Sequence, residues 1–415
     1  MSLTDPATFV DPVGRSANPY DGAVAADPLP FYRELRSEVP VAKLLDLPNT
    51  HVVSRYADVM FVLQHPEIFS SGIAAVDLGQ QRPLIPLQVD PPDHVKYRRV
   101  MDPHLTSRQV APREERVRSL VNELIDGFVE RGHCDFHAEL SVPLPCTIFL
   151  ELCGLPLDQL DLFLGWKDDI IRPQVRQPEI AGDLDALAAT RRRTGEQIYA
   201  YFAGLVADRR RTPGNDMFSR FALGTVDGEP MSDDQLLDMG FLFILGGLDT
   251  VTSTLDCTIA HLGRAVELRD RIVAERSLIP AAIEELLRVH TPVMQVLRVI
   301  KQAHEMHGVT MEPGDLVMVM IGAADADPDE FGSRAEETDF DRERNRHLAF
   351  GGGAHRCLGS HLARFELRIA MEELHRRIPD YRVPVGAELR YSPGIREIEH
   401  LPLEFTPATR EGRPG

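Results

Sequence analysis

Residues 350–359 read FGGGAHRCLG, a glycine-rich run ending in a cysteine beside a histidine and an arginine, and the SHLARFELRIAMEELHRRI that follows has the pattern of a long helix. A thiolate placed there is stabilised by the helix dipole and by the backbone N–H groups of Leu358 and Gly359, while the glycines let a flat ligand approach the backbone. Such a sulfur suits a soft metal, and haem iron with an axial cysteine is the known use of one isolated thiolate. Two other chemistries fit the same residues. A glycine-rich loop before a helix can cradle phosphate, although GGGAHRC lacks the GxGxxG spacing and the Lys-Ser/Thr of a P-loop. His355 could also activate Cys357 as a nucleophile.

A second constellation lies in FLFILGGLDTVTSTL, where Gly246 and Gly247 are followed by a carboxylate, Asp249, and a hydroxyl, Thr250, inside an apolar run. Each glycine weakens a helix by about 1 kcal/mol relative to alanine. The Thr250 hydroxyl could divert the carbonyl of Gly246 and open a bulge; equally, the glycine pair could let another helix pack close. This run sits in a helix predicted over 232–263, opened by a capping box with Ser232 at the N-cap and Gln235 three residues on. At 1.5 Å per residue it would span roughly 45 Å.

The elements that must position these groups are mostly helical. Residues 28–38 and YADVMFVLQHP read as amphipathic helices flanking two short strands, VAKLL and THVVSR. The stretch between Phe69 and Pro92 reads as a long loop, a feature often functional in compact domains. Helical periodicity dominates from His94, with breaks near 143, 155, 173 and 213; short β-type pieces follow Lys301, and the C-terminus is β-like. With no linker of Ser/Gly type, the expected fold is mainly α with a minor β part, a single domain over 1–415 with an N-terminal extension at 1–22.

Acidic residues outnumber basic ones, 64 to 45, for a formal charge of −19. General affinity for nucleic acid or an anionic membrane is therefore not expected. The apolar run MGFLFILGGL is too short to span a bilayer. The five scattered cysteines form no C-x-x-C pair, which disfavours a disulfide framework or a structural zinc site. The expected location is the cytoplasm, and the expected state a monomer.

Phe350, Gly353, His355, Cys357 and Gly359 match F-x-x-G-x-H-x-C-x-G, which resembles the haem-binding signature of the cytochrome P-450 monooxygenases. GGLDT at 246–250 resembles their oxygen-activating helix motif, Glu285 and Arg288 in IEELLRVHTP their E-x-x-R pair, and DPPDHVKYRR their propionate-binding segment. These motifs stand in family order over nearly the whole chain, and IPLQVDPP, GGLDTV and FGGGAHRCLGSHLAR are most similar to the soluble bacterial members of camphor-hydroxylase type. AADADP at 323–328 departs from the Asn-Arg often found there.

The resemblance implies the cytochrome P-450 fold enclosing haem b, with 350–359 as the haem-thiolate loop, Cys357 as iron ligand, Phe350 packed beside it and Gly246 facing the cofactor. His94, Arg98, Arg298 and His355 become candidates for the two propionates, and Glu285, Arg288 and Arg342 a structural lock behind the haem. Thr250 and Asp249 are implied to deliver protons while O2 is cleaved. A haem-thiolate enzyme using peroxide is a weaker reading, because such relatives often alter that pair; a haem sensor would need no such motif. Electrons are implied to come from NAD(P)H through a reductase and an iron–sulfur ferredoxin, of [2Fe-2S] type. Six arginines between 342 and 368, against Glu343 and Glu366, suggest an acidic partner's docking face, or simply a solvated one. The expected pocket is aliphatic: Leu242, Phe243, Leu245, Val293, Gln295, Val296 and Ile395, with Gly394 and the 72–88 loop. It suits a small to medium lipophilic substrate, a terpenoid, steroid or alkyl aromatic. Gln295 is its first polar hook and Arg82 its second. The loop lacks the tyrosine with which camphor-type relatives bond a ketone.

Overall fold

The computed structural model describes residues 22–37, 41–43, 49–392 and 395–411. The N-terminal extension, apart from Gly22, and Gly394 lie outside the described residues. The chain falls into two compact units, one made of Met1–Ser70, Val110–Leu144 and Thr250–Gly415, the other of Ser71–Gln109 and Pro145–Asp249. The division crosses the peptide bond joining Asp249 to Thr250.

The first unit is built on a five-stranded sheet in the order Val41–Lys43, Thr50–Val53, Leu316–Val319, Val296–Ile300, Phe69–Ser70. The hairpin expected from VAKLL and THVVSR is present, with Val41 opposite Val53. Leu316–Val319 runs parallel to Thr50–Val53 and antiparallel to Val296–Ile300. Side chains alternate across this strand as a pleat requires. Val317 and Val319 pack with Val59, Val62 and Phe69 on one face, while Met318 and Met320 pack with Phe31, Tyr32 and Leu35 on the other. The sheet is thus covered on both faces, by the helices Tyr56–Gln64 and Leu29–Ser37.

The same unit holds the helices Thr250–Arg264, Ile279–Val289 and Ser360–Arg377. Ser360–Arg377 packs on Glu114–Asp126, where Arg118 and Arg368 each pair with Glu114 and Glu372.

The second unit packs Leu160–Ile171, Leu184–Arg211 and Asp233–Gly247 together. An aromatic seam of Phe163, Trp166, Tyr201 and Phe202 joins the first two edge to face. The 72–88 loop is braced internally. Gln88, buried, accepts from the amide of Leu84 at 2.9 Å and donates to the carbonyl of Val76 at 3.0 Å, which also accepts from Gln80.

The capping box forms as expected: Ser232 Oγ accepts from the amide of Gln235 at 3.2 Å, and Gln235 Oε1 accepts from that of Ser232 at 2.8 Å. The helix expected over 232–263 is interrupted, however. It runs Asp233–Gly247 and resumes as Thr250–Arg264, with Leu248 and Asp249 between. Residues 233–264 are the one helical stretch, among those described, long and apolar enough to cross a membrane, and 67% of its most apolar window is buried inside the protein. It is a core element.

Candidate haem-thiolate site

Cys357 is exposed, whereas the other four cysteines are buried. Its amide donates to the carbonyl of Phe350 at 2.8 Å, closing the loop on itself three residues before Ser360–Arg377 begins. Gly351 and Gly353 adopt φ of +68° and +63°. A Cβ on Gly353 would also lie 2.1 Å from the carbonyl oxygen of Leu63, so the turn requires glycine twice over. The Phe350 ring is capped by the Arg364 guanidinium, 4.3 Å from its centroid. Arg364 is held by Glu284, which also binds His347. Burial acts to raise the Glu284 carboxyl, but its hydrogen bonds from Arg364 and His347 outweigh that and leave it at about 2.

Behind this loop Glu285 and Arg288 form a bidentate pair, 2.7 and 2.9 Å, and both are essentially buried. Glu285 also accepts from Arg342, from Asn345 and from the amide of Asp339. Arg288 donates on to the carbonyls of Asp325 and Glu337. The AADADP departure supplies partners of its own. Asp325, fully buried and pushed up by burial to about 6, accepts from Thr291 Oγ1 and the amide of Leu348.

In the second unit Asp249 is 1% exposed. Its Oδ1 accepts from Lys167 Nζ at 2.9 Å and Arg172 Nη2 at 3.1 Å. The adjacent glycines differ in their surroundings. A Cβ on Gly247 would stand 2.3 Å from the Phe149 ring, the close packing that one reading of the glycine pair anticipated, whereas a Cβ on Gly246 would meet nothing within 4 Å. Leu242, one turn earlier, is only partly buried. Leu245 is buried, and the ring of Phe243 is spent on Phe149, Phe218 and Phe221, so Phe243 is a core residue of this unit rather than an open wall. In the first unit, the carbonyl of Thr250 accepts from Thr254 Oγ1 at 2.8 Å.

Of the cationic candidates, Arg298 is 8% exposed on the sheet strand Val296–Ile300, and His355 follows the glycines of the thiol loop. His94 and Arg98 share the helix Asp93–Met101 in the other unit. Burial and the charge of Arg98 push the His94 imidazole down. Arg98 Nε donates to Asp102 at 2.6 Å. Among the expected wall residues, Val293 and Ile395 face each other as an antiparallel bridge, and Val296 pairs with Val319. Gln295 is buried, and its Oε1 has no hydrogen-bond partner.

Arg82 pairs with Asp238 at 3.1 Å and Asp234 at 3.3 Å and lies over the Tyr199 ring, while its buried Nη2 has no hydrogen-bond partner. One expectation is corrected: the six arginines of 342–368 are not a bare positive face. Arg342, Arg346, Arg364 and Arg368 pair with Glu285, Glu330, Glu284 and Glu114. Arg344 and Arg356 are exposed.

The sequence reading missed Lys167 and Arg172. A signal existed: Lys167 shares a helix face with Phe163, Trp166 and Ile170, all buried, and a cation on an apolar stripe requires a buried partner.

These residues fit haem b. An exposed thiol at a glycine-built turn can face a soft metal, and Arg298, His94, Arg98 and His355 are the donor types that propionates need. The class defined is a haem-thiolate protein. The cytochrome P450 family model matches residues 190–377. The chain is 33% identical over 385 residues to a steroid C26-monooxygenase of Mycobacterium tuberculosis, covering 91% of this chain and 93% of that protein. A Bacillus megaterium protein crystallised with testosterone superposes with a TM-score of 0.84 at 26% identity, over 92% of this chain and 99% of that one. A mutant of P450 EryK bound to erythromycin B gives 0.83 at 28% identity, over 94% and 99%. The chain belongs to the cytochrome P450 family of monooxygenases, with the P450 fold and haem b bound through a cysteine thiolate.

Proposed function

We propose that this P450 hydroxylates a small to medium lipophilic substrate of terpenoid, steroid or alkyl aromatic class, using O2 and electrons relayed from NAD(P)H by a reductase and a [2Fe-2S] ferredoxin. Haem b supplies the reduction of O2 and the insertion of one oxygen atom into a C–H bond. The exposure of Cys357 in its glycine-built loop carries the reading, since every other cysteine is buried.

The remaining roles belong to the chain's own side chains. Arg298 and His355, with His94 and Arg98, hold the propionates, and Glu285, Arg288 and Arg342 keep the segment before the loop in place. Asp249, between two cations, passes protons inward, and the Thr250 hydroxyl orders the water that receives them. A lipophilic substrate is supported by the steroid monooxygenase among the relatives and by the testosterone-bound neighbour. Val293, Val296, Ile395 and Leu242 supply aliphatic contact, worth about 25 cal/mol per Å2 buried. Gln295 supplies the polar one. Exposed Arg344 and Arg356 offer the ferredoxin its contacts. In this reading the protein works in the cytoplasm as a single domain and a monomer.

The test is Cys357→His. Only a thiolate gives the red-shifted Soret band of the ferrous carbon monoxide complex, so the variant should keep some haem and lose that band. A thiolate-type spectrum in the variant would overturn the assignment.

A further inference from the structure

The helix that Thr250 begins carries a carboxylate deep in its unit. Asp256 is fully buried, and its Oδ2 lies 2.7 Å from Nδ1 of His137. The other ring nitrogen of His137 lies 3.8 Å from Oε1 of Glu397, which is 5% exposed. One imidazole therefore stands between the helix and the C-terminal segment 395–401.

Other bonds gather the same three pieces. Thr252 Oγ1 donates to the carbonyl of Ser141, at the end of the His137–Ser141 turn, and Ser253 Oγ donates to that of Arg396 at 2.7 Å. The amide of Phe136 donates to Leu401, and that of Leu401 to Asp135. The segment begins at Ile395, which bridges Val293, and the amide of Arg396 donates to Pro292.

A neutral imidazole has one N–H, which the bond to Asp256 takes, whereas the imidazolium has two and carries the charge that attracts Glu397 across the 3.8 Å contact. Without that cation the carboxylate of Asp256 would be a buried charge with no counter-charge, a costly arrangement. We propose that His137, as an imidazolium, is a positioning residue that clamps the 395–401 segment through Glu397 to the helix through Asp256, and so seats Ile395. The proposal rests on the reading that Ile395 faces substrate.

The surroundings favour the charged ring. Asp256 faces it from the helix, Asp135 from the strand His133–Asp135, and Glu397 from the C-terminal segment. Glu139 in its own turn is paired with Arg131, and His400 is bound to Asp135. Arg396 points its guanidinium elsewhere, to the carbonyls of Ala25 and Ala26 and to His290. Burial alone would lower the His137 pKa, but the bond to Asp256 and the field of the three carboxylates reverse this, and the net shift is upward. Burial pushes Asp256 up to about 6, with His137 pulling it back. Both values lie above their unfolded ones, so the charged pair exists from about pH 6, where Asp256 ionises, up to the raised value of His137, and the clamp is lost as pH rises through that value.

The experiment is hydrogen–deuterium exchange on the holoenzyme, following the 395–401 amides from pH 6.5 to 9 after correction for the chemical rate. The wild-type segment should lose protection by about tenfold across that range, through local opening. His137→Asn can still donate to Asp256 but carries no charge and cannot reach Glu397; it should exchange at the fast level throughout, with no pH step. Glu397→Gln, which keeps the Asp256 bond, should shrink the step, and decides the matter if the first variant does not fold. A full-sized step in either variant, or none in the wild type, overturns the clamp. The carbon monoxide spectrum of the same samples reports Cys357 separately, so failure of the clamp is distinguishable from failure of the haem-thiolate reading.

Discussion

Lys167 and Asp249 form an ion pair with nitrogen and oxygen 2.9 Å apart and side chains only 5% and 0% exposed. Arg172 also pairs with Asp249, and both cations touch Asp168 as well. The carboxylate that the family motif assigns to proton delivery is therefore closed off from bulk water by the groups that neutralise it. Protons reach it only if one of those cations moves or water enters beside it.

Asp249→Asn should consequently slow turnover severalfold while leaving the substrate-induced spin shift intact, because the amide cannot relay a proton. Lys167→Met should lower the denaturation free energy by roughly 3 kcal/mol, the cost of half-breaking a buried pair. Steady-state kinetics and a denaturant titration check the two; an unchanged kcat in Asp249→Asn would remove it from the mechanism.

Thr250→Ala should keep substrate binding and NAD(P)H consumption but divert electrons to hydrogen peroxide. In the proposed reading the hydroxyl orders protonation rather than holding substrate, so product formed per NAD(P)H should fall severalfold. Unchanged coupling would leave Thr250 a residue of helix packing alone.

Glu285→Gln removes the charge that Arg288 and Arg342 share in a buried site. The expected loss is about 3–5 kcal/mol, since two guanidinium groups are left without their counter-charge. Thermal unfolding and the haem content of purified protein measure it. A variant of wild-type stability and haem content would reduce the trio to an incidental network.

Gln295→Leu should weaken binding of oxygenated lipophilic ligands while sparing hydrocarbons, because the buried amide needs a polar partner. A loss of that partner is worth about 1–3 kcal/mol, or roughly 5- to 150-fold in dissociation constant. Spin-shift titrations with matched ketone and hydrocarbon ligands provide the comparison, and equal effects on both would count against the hook.

Local patterns were the legible part of this chain. Ser232 and Gln235 announce their capping box within four residues, and the two strands at 41–43 and 50–53 show their own alternation. Glu285 and Arg288 were visible as a spacing, but Arg342, 57 residues on, was reached only through the family resemblance, and nothing in the spacing says that it shares the same carboxylate. Lys167 and Arg172 reach Asp249 across 82 and 77 residues. Such partners are set by tertiary packing, which local sequence does not encode. The arginine count misled for the same reason: it tallied charges without the acids brought to them from Glu114, Glu284, Glu285 and Glu330.

Gly246 and Gly247 stand side by side and look interchangeable in the sequence, but they are under different kinds of pressure. Gly247 is fixed by the protein's own Phe149, and any side chain there forces the helix and that ring apart whatever the substrate. A Cβ on Gly246 would meet no protein atom within 4 Å, so a methyl group there displaces nothing of the fold. Packing therefore tolerates a larger residue at position 246 and refuses one at position 247.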